Sequence, residues 1–224
     1  MKMLYYEKVG DKVNFKKYYD KFFKKTSGKG LGVLARTKYK KDAASIKKDF
    51  ALALDLFKKE IEDGNKDDID LLSKGMALCS DSKMNKEKGV AEGEPTENGL
   101  VEYAFKLGFD KTELEKVLPR VQEVPFDSMR KMMSTVHEVK AVDDKYFDKK
   151  YVQFTKGACE ILLDRCDFYL ENGEIKEITD DFKNNIFAKN KEFADRALRV
   201  LGCAYKTFNK LSDEVSSEKL ENGL

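Results

Sequence analysis

The feature that most constrains the fold is a set of three predicted strands whose connections are too short to hold a crossover helix. Alternating side chains and β-branched residues predict strands near Arg120 to Phe126, Arg130 to Val139 and Lys149 to Thr155. Parallel neighbours need a connection of about a dozen residues or more. The three strands are therefore expected to pair as an antiparallel sheet.

Helices are predicted on both sides of these strands. The other expected elements are a hairpin over Met1 to Phe15, helices over Asp42 to Asp63, Asp67 to Cys79, Asn98 to Leu107, Ala158 to Cys166 and Thr179 to Leu198, and a strand over Arg199 to Phe208. Together they predict an α+β fold in which a twisted antiparallel sheet is flanked by helices. We expect one domain over residues 1–224, with a basic helical insertion at about 16–64.

Two threonines are placed to begin helices. Thr112 and Glu115 have the spacing of a capping box, which predicts a helix start at Thr112. Thr96 stands just before the helix predicted from Asn98 and could cap it.

Composition narrows the classes of partner. The 43 basic and 41 acidic side chains leave a net charge of +2, so no overall field favours nucleic acid or a membrane, and any anion site must be local. The four cysteines form no C-x-x-C pair, and the single His137 cannot complete a zinc site at the usual spacing. We expect reduced thiols, no metal site, no membrane span and a soluble cytosolic chain.

Four separated stretches carry the residues with chemical interest. They are GEPTE (Gly93 to Glu97), PFDSMRKMMS (Pro125 to Ser134), FTKGACE (Phe154 to Glu160) and ALRVL (Ala197 to Leu201). Together they supply a carboxylate, an aromatic face, cations and a glycine. Those are the parts needed to hold a nucleotide.

Each stretch also has a plain structural interpretation. Lys156 could hold an anion at the start of the following helix, or be a solvated lysine in a turn. Phe126 could stack on a base while Lys131 reaches a phosphate, or be a core residue beside solvated cations. Glu97 could accept from an exocyclic amine, and Arg199 could bind phosphate or simply lie on the surface.

Taken in order, these stretches resemble a known family. GMALCSD (Gly75 to Asp81), GEPTENGLVEYA, FDSMRKMMS, FTKGACEILLDRC and ALRVLGCAYK are similar to the nucleotide-binding domain of P-type ATPases. The similarity is strongest to calcium pumps of the sarcoplasmic-reticulum and plasma-membrane type and their bacterial relatives. It covers Ser73 to about Lys210 and also Met1 to Val13.

The resemblance implies a role for each matched residue. Glu97 would contact the adenine amine, Phe126 would stack on the ring, and Lys156 would lie deep in the pocket with Gly157 at its wall. The remaining implied nucleotide-binding residues are Lys131 and Arg199 toward the phosphates, with Thr96, Ser128, Met133 and Leu201 completing the lining. Ser128 stands where many relatives have arginine, and Cys159 where the family motif has proline, so we expect a weaker grip on phosphate.

The resemblance also implies the function of a larger pump. Its nucleotide-binding domain captures Mg-ATP and delivers the γ-phosphate to an aspartate in a separate phosphorylation domain, with an actuator domain as a further partner. Asp110-Lys111-Thr112 begins like the phosphorylated loop but continues with Glu113 in place of glycine. We therefore expect no catalytic residue in this chain, which would be a cytoplasmic domain of an integral membrane protein that moves calcium.

Two other classes of function stay open. The basic insertion at 16–64 could make the chain a non-catalytic protein-interaction module, or could contact acidic lipid headgroups. A nucleic-acid-binding domain would need basic residues interleaved with exposed aromatics, for which Phe15 to Lys25 is the candidate segment. Its spacing suits a helix with buried aromatics, and we expect no nucleic-acid partner.

Overall fold

The structure is a computed structural model that describes residues 66–140, 144–195, 199–211 and 215–224. The predicted hairpin over 1–15, the helix over 42–63 and the basic insertion at 16–64 lie outside the described residues. One compact unit comprises Asn65–Ala188 and Val200–Leu224. Residues 189–195 and 199 belong to a second unit.

The described helices and strands are numbered in chain order. The helices are α1 (Lys66–Leu78), α2 (Pro95–Lys106), α3 (Lys111–Val117), α4 (Cys159–Leu163), α5 (Asp180–Asp195) and α6 (Ser217–Leu220). The strands are β1 (Lys83–Asn85), β2 (Val90–Glu92), β3 (Arg120–Asp127), β4 (Met132–Glu138), β5 (Tyr151–Ala158), β6 (Phe168–Glu171), β7 (Glu174–Glu177) and β8 (Leu201–Phe208). None of these helices is long and apolar enough to cross a bilayer.

The main sheet has the strand order β3-β4-β5-β8, and every neighbouring pair is antiparallel. The predicted antiparallel pairing and the α+β class are confirmed. The central strands β4 and β5 are buried along nearly their whole length, because both faces of the sheet are covered. β5 continues through Ala158, beyond the end predicted at Thr155, so Lys156 and Gly157 lie inside a strand.

Helix α1 covers one face of the sheet. Its buried Leu71 and Leu78 are seven residues apart, two helical turns, and pack with Phe154 of β5. Gly75 lies on the same side, where a Cβ would come within 2.8 Å of the Cys203 sulfur and 3.0 Å of the Phe154 ring. Glycine costs roughly 1 kcal/mol inside a helix, but here it allows the helix to approach the sheet closely.

The segment 215–224 covers the opposite face. Leu220 packs with Val124, Val136 and Tyr151, and its carbonyl accepts a 2.7 Å hydrogen bond from the Gln153 side chain. Leu224 is buried with Met132 and Leu162 at one end of the same face. This segment is therefore an integral part of the packed unit.

Both predicted threonine caps are wrong by two residues. Helix α2 begins at Pro95, with Glu94 as the N-cap residue, because the fixed φ of proline suits the first helical position. Helix α3 begins after Asp110, whose carboxylate accepts from the Thr112 amide at 2.9 Å. At the predicted start of the helix that is α5, the Thr179 hydroxyl accepts from the Phe182 amide at 3.2 Å and caps the helix.

Two short hairpins were not predicted. β1 and β2 pair within residues 80–93, a polar stretch for which no element was predicted, and β6 pairs with β7 after α4. All four cysteines are free thiols in the structure.

Candidate functional site

The strand registers bring one end of the main sheet into a single row. Asp127 pairs with Met132, Met132 with Gly157, and Gly157 with Gly202. Neighbouring strands are about 4.8 Å apart, so this row spans the sheet in roughly 15 Å. We call it the sheet-end row. Seven predicted site residues lie in it or close to it in sequence: Phe126, Ser128, Lys131, Met133, Lys156, Gly157 and Leu201.

Helix α2 adds Glu97 to this end of the sheet. The Lys156 Nζ lies 2.5 Å from Oε1 of Glu97 and 3.3 Å from the Ser80 hydroxyl. Both charged side chains are largely buried, with 11% and 13% of their surfaces exposed. Glu97 lies in the first turn of its helix, where the helix dipole favours a negative charge. The two residues therefore form a shielded ion pair between strand and helix.

The second oxygen of Glu97 holds the loop that follows α1. Its Oε2 accepts from the backbone amides of Asp81, at 2.7 Å, and Ser82, at 3.2 Å. Half-buried Thr96 precedes Glu97 in the first turn of α2. The carboxylate therefore joins α2, β5 and the loop over residues 80–82.

Two cations that the sequence analysis did not select hold the other side of this loop. The Lys111 ammonium, whose side chain is buried, donates to the carbonyls of Ser80 and Ser82. Arg120 donates to the Ser80 carbonyl at 2.6 Å and to the Asp81 carboxylate at 2.8 Å. Burial lowers the pKa of Lys111, and the nearby Glu115 carboxylate offsets part of this shift.

The turn between β3 and β4 presents the aromatic residue. Phe126 is 57% exposed near the end of β3. The Asp127 carboxylate accepts from the amides of Met129 and Arg130 at 2.9 Å, and these backbone hydrogen bonds, that of Arg130 first, lower the pKa of Asp127. The Lys131 amide donates to the Asp127 carbonyl at 2.7 Å. The turn is therefore well defined by its own hydrogen bonds.

Gly157 allows β5 to lie tightly against this turn. A Cβ on Gly157 would come within 2.6 Å of Cγ of Met132 and 2.7 Å of the Lys131 carbonyl oxygen. That same carbonyl accepts from the Ala158 amide at 3.1 Å. Glycine at this position brings the backbone of Lys131 next to the strand that carries Lys156.

Three predicted residues differ in placement from the others. Met133 is 1% exposed and packs in the core with Leu78 and Phe154, beneath the surface of the row. Ser128 is exposed in the turn. Arg199 is exposed and belongs to the second unit.

Comparison with known proteins gives a match that contains both the sheet-end row and Glu97. A family model described as P-type ATPase, cytoplasmic domain N, matches residues 68–224. The chain belongs to this family. The predicted family resemblance is thereby confirmed.

Three curated relatives of this domain N chain are named as calcium-transporting ATPases. One from Bacillus cereus is 40% identical over 71% of the chain, one from Lactococcus lactis 36% over 70%, and one from Listeria monocytogenes 34% over 65%. The alignments cover 17%, 17% and 15% of those relatives. The domain N chain therefore spans a small part of the length of the proteins that it matches.

The ion pair in the domain N chain has limited room for a further hydrogen bond. A carboxylate offers about four lone-pair sites and an ammonium three N–H donors. The contacts of the described residues occupy three sites on Glu97 and two donors on Lys156. About one acceptor site and one donor are left for a ligand.

Two cavities lie elsewhere on the domain N chain. One of about 430 Å³ is lined by residues that include Asp167, Glu177 and Lys183. The other, of about 670 Å³, is lined by apolar side chains that include Leu162 and Phe182. Neither is lined by a predicted site residue, so the candidate site depends on the sheet-end row and the ion pair.

Proposed function

We propose that this chain is the ATP-binding domain of a calcium-transporting P-type ATPase. It binds Mg-ATP mainly through the adenine ring and delivers the γ-phosphate to an aspartate outside this chain. The observation that carries the proposal is the sheet-end row, which gathers an exposed aromatic ring, two lysines and a glycine beside a buried carboxylate.

Each group in the row has a chemical task in this proposal. The Phe126 ring stacks on adenine, an interaction worth about 1 to 3 kcal/mol by analogy with base stacking. The remaining lone pair of Glu97 accepts from the adenine amine. Guanine presents a carbonyl oxygen at the corresponding position, which a carboxylate disfavours. The site therefore selects ATP over GTP.

The cations and small residues complete the proposed site. Lys156 donates its remaining N–H to the ligand, and Lys131 faces the phosphates. Gly157 lies at the wall of the site, where it lets the backbone of Lys131 approach β5. We propose that Thr96, Ser128 and Leu201 line the site, that Met133 supports this lining from the core beneath it, and that Arg199 faces the phosphates.

The proposed role in phosphoryl transfer is positioning. Such transfer depends chiefly on holding the phosphate in line with its acceptor, and a hinged domain can supply that motion. Asp110 is not the acceptor in this proposal, because its carboxylate caps α3 and lies 2.5 Å from Lys86 Nζ. Acid-stable radioactive phosphate trapped on the isolated chain after incubation with labelled ATP would contradict this.

The proposal places the chain in a larger membrane pump. It would work as a cytoplasmic domain of an integral membrane protein, with the phosphorylation and actuator domains of the same pump as partners. The names of the relatives, which are calcium-transporting ATPases, support calcium as the transported ion. Calcium uptake into vesicles that contain the full-length pump would test this, and uptake of another cation in its place would refute it.

A nucleotide titration followed by amide NMR shifts tests the proposal. We expect saturable shifts near the sheet-end row with a Kd of roughly 0.1 mM to several mM, or about 3 to 5.5 kcal/mol. ATP, ADP and AMP should shift the same amides, and GTP should have little effect. Shifts of equal size with GTP would refute an adenine-specific site.

A matched pair of variants tests the ring itself. Phe126→Ala should raise the Kd for ATP about fivefold to 150-fold, the equivalent of 1 to 3 kcal/mol of stacking. Phe168→Ala is the control, since Phe168 is a comparably exposed phenylalanine, at 51%, on β6. Equal effects of the two substitutions would remove Phe126 from the site.

A further inference from the structure

A buried carboxylate lies in the segment that covers the back of the sheet. Glu221 follows α6 and has 1% of its surface exposed. Its side chain contacts Arg130, in the turn between β3 and β4, and Ser134 on β4. The Arg130 Nη1 donates to both carboxylate oxygens, at 2.5 Å to Oε1, and the Ser134 hydroxyl lies 3.2 Å from Oε1. A buried charge of this kind is tolerated because it is paired and hydrogen-bonded.

The partner arginine belongs to the turn between Phe126 and Lys131. The other terminal nitrogen of Arg130, Nη2, donates to the Pro125 carbonyl at 2.7 Å, one residue before Phe126. The Arg130 amide donates to the Asp127 carboxylate in the same turn. One side chain thus joins the buried Glu221 to the backbone on both sides of the exposed ring.

We propose that Arg130 and Glu221 are positioning residues for the nucleotide site. By fixing the turn from the back of the sheet, they hold the Phe126 ring and the Lys131 ammonium in the arrangement that binds ATP. This inference rests on the proposed function of the sheet-end row. Docking of the segment 215–224 and nucleotide binding are then thermodynamically linked, so each stabilises the other.

Glu221→Gln is the informative substitution, because it keeps the shape of the side chain and removes its charge. A loss of negative charge near the site would by itself tighten the binding of anionic ATP. Positioning predicts the opposite, a rise in the Kd for ATP of about threefold to tenfold, in the range of measured couplings between linked sites. The sign of the change therefore separates positioning from a direct charge effect.

The control is Gln153→Met on the same interface. Gln153 joins the segment to β5 through the Leu220 carbonyl but makes no contact with the turn. It should lower the stability of the chain and leave the Kd within about twofold of wild type, because it reaches Glu221 only through Thr155 and Ser134 and does not hydrogen-bond Arg130. An equal rise in Kd for both variants would reduce the effect to general loosening and overturn the inference.

The ligand-free chain provides a second readout. The Lys131 amide is bonded to the Asp127 carbonyl and the Ala158 amide to the Lys131 carbonyl. Hydrogen exchange at these two amides should be about tenfold faster in Glu221→Gln and unchanged in Gln153→Met, since local opening follows local contacts. Unchanged exchange in Glu221→Gln would overturn the inference.

The arginine is tested in the background of the neutral partner. Arg130→Met alone leaves Glu221 buried without its cation and could fail to fold. The double variant with Glu221→Gln should bind ATP no more than about twofold more weakly than Glu221→Gln alone, because coupled residues are not additive. Additive losses would overturn the inference.

The two proposals fail in different ways. Absence of ATP binding by the wild-type chain would refute the proposed function. Binding by wild type with an unchanged or lower Kd in Glu221→Gln would refute only the positioning role.

Discussion

The pH dependence of stability should be controlled to a large extent by His137, in the middle of the sheet. Its ring is fully buried in β4, where Nδ1–H donates to the Leu118 carbonyl at 2.9 Å and Nε2 accepts from the Thr135 hydroxyl at 3.0 Å. A carbonyl can only accept, so Nδ1 carries the proton of the neutral ring. Burial lowers the pKa of His137 to about 4, and the hydrogen bond to Leu118 offsets only part of this.

The size of the effect follows from linkage. The unfolded chain binds a proton on His137 near pH 6.5, whereas the folded chain does so only near its pKa of about 4. Neutral His137 therefore contributes full stability above pH 6.5, and that contribution is lost as the pH falls toward 4. Each pKa unit is worth about 1.4 kcal/mol, so roughly 2.5 kcal/mol should be lost between pH 7.5 and pH 4.5.

Urea unfolding of wild type and His137→Gln at several pH values would measure this loss. Glutamine can donate and accept but does not titrate, so the difference between the two pH profiles isolates the histidine from the carboxylates. His137 is the single histidine of the chain, and its ring resonance can be followed through an NMR titration without ambiguity. Parallel stability profiles, or a ring pKa near 6.5 in the folded chain, would refute the reasoning.

Three further predictions follow from packing and charge. Phe154→Ala removes a fully buried ring and should lower the free energy of unfolding by about 3 to 5 kcal/mol in urea; a loss below 1 kcal/mol would contradict its place in the core. Gly157→Ala forces a methyl group against the Lys131 carbonyl and should cost about 1 to 3 kcal/mol, with weaker ATP binding by NMR; unchanged stability and binding would argue against the close contact. Glu97→Gln removes the charge paired with Lys156 and should raise the Kd for ATP about threefold to tenfold by calorimetry; an unchanged Kd would separate this pair from the site.

The main sheet could be predicted because its signals are local. Alternation and β-branched residues mark β3, β4 and β5, and the lengths of their connections fix the antiparallel order. The short hairpins carry weaker signals, since β1 and β2 have three residues each and β7 reads Glu-Ile-Lys-Glu. Asn172 and Gly173, both with positive φ, form the kind of Asn-Gly turn from which the second hairpin could have been found.

The charged and aromatic residues of the candidate site could be predicted from the sequence, but the residues that hold the neighbouring loop could not. Phe126, Lys156 and Glu97 belong to sequence stretches with a recognisable composition. Lys111 and Arg120 bind backbone carbonyls, and a carbonyl acceptor leaves no trace in the sequence. The part played by Lys111 was hidden further because the Asp110 region reads simply as a helix start.

Burial was the least predictable property of the site. The resemblance implied that Met133 lines the site, and the structure buries both adjacent methionines of β4, Met132 and Met133, on opposite faces of the sheet. In a central strand both faces are covered, so alternation does not distinguish a surface from a core.

The nearly complete pairing of Lys156 with Glu97 has a consequence for turnover in the proposed pump. Two groups that already hydrogen-bond each other gain little free energy when a nucleotide binds and lose little when it dissociates. Such a site exchanges its nucleotide rapidly, and in the proposed pump ADP would dissociate without a separate step that weakens its binding. A domain that must bind a new ATP molecule in every transport cycle benefits more from fast dissociation than from high affinity.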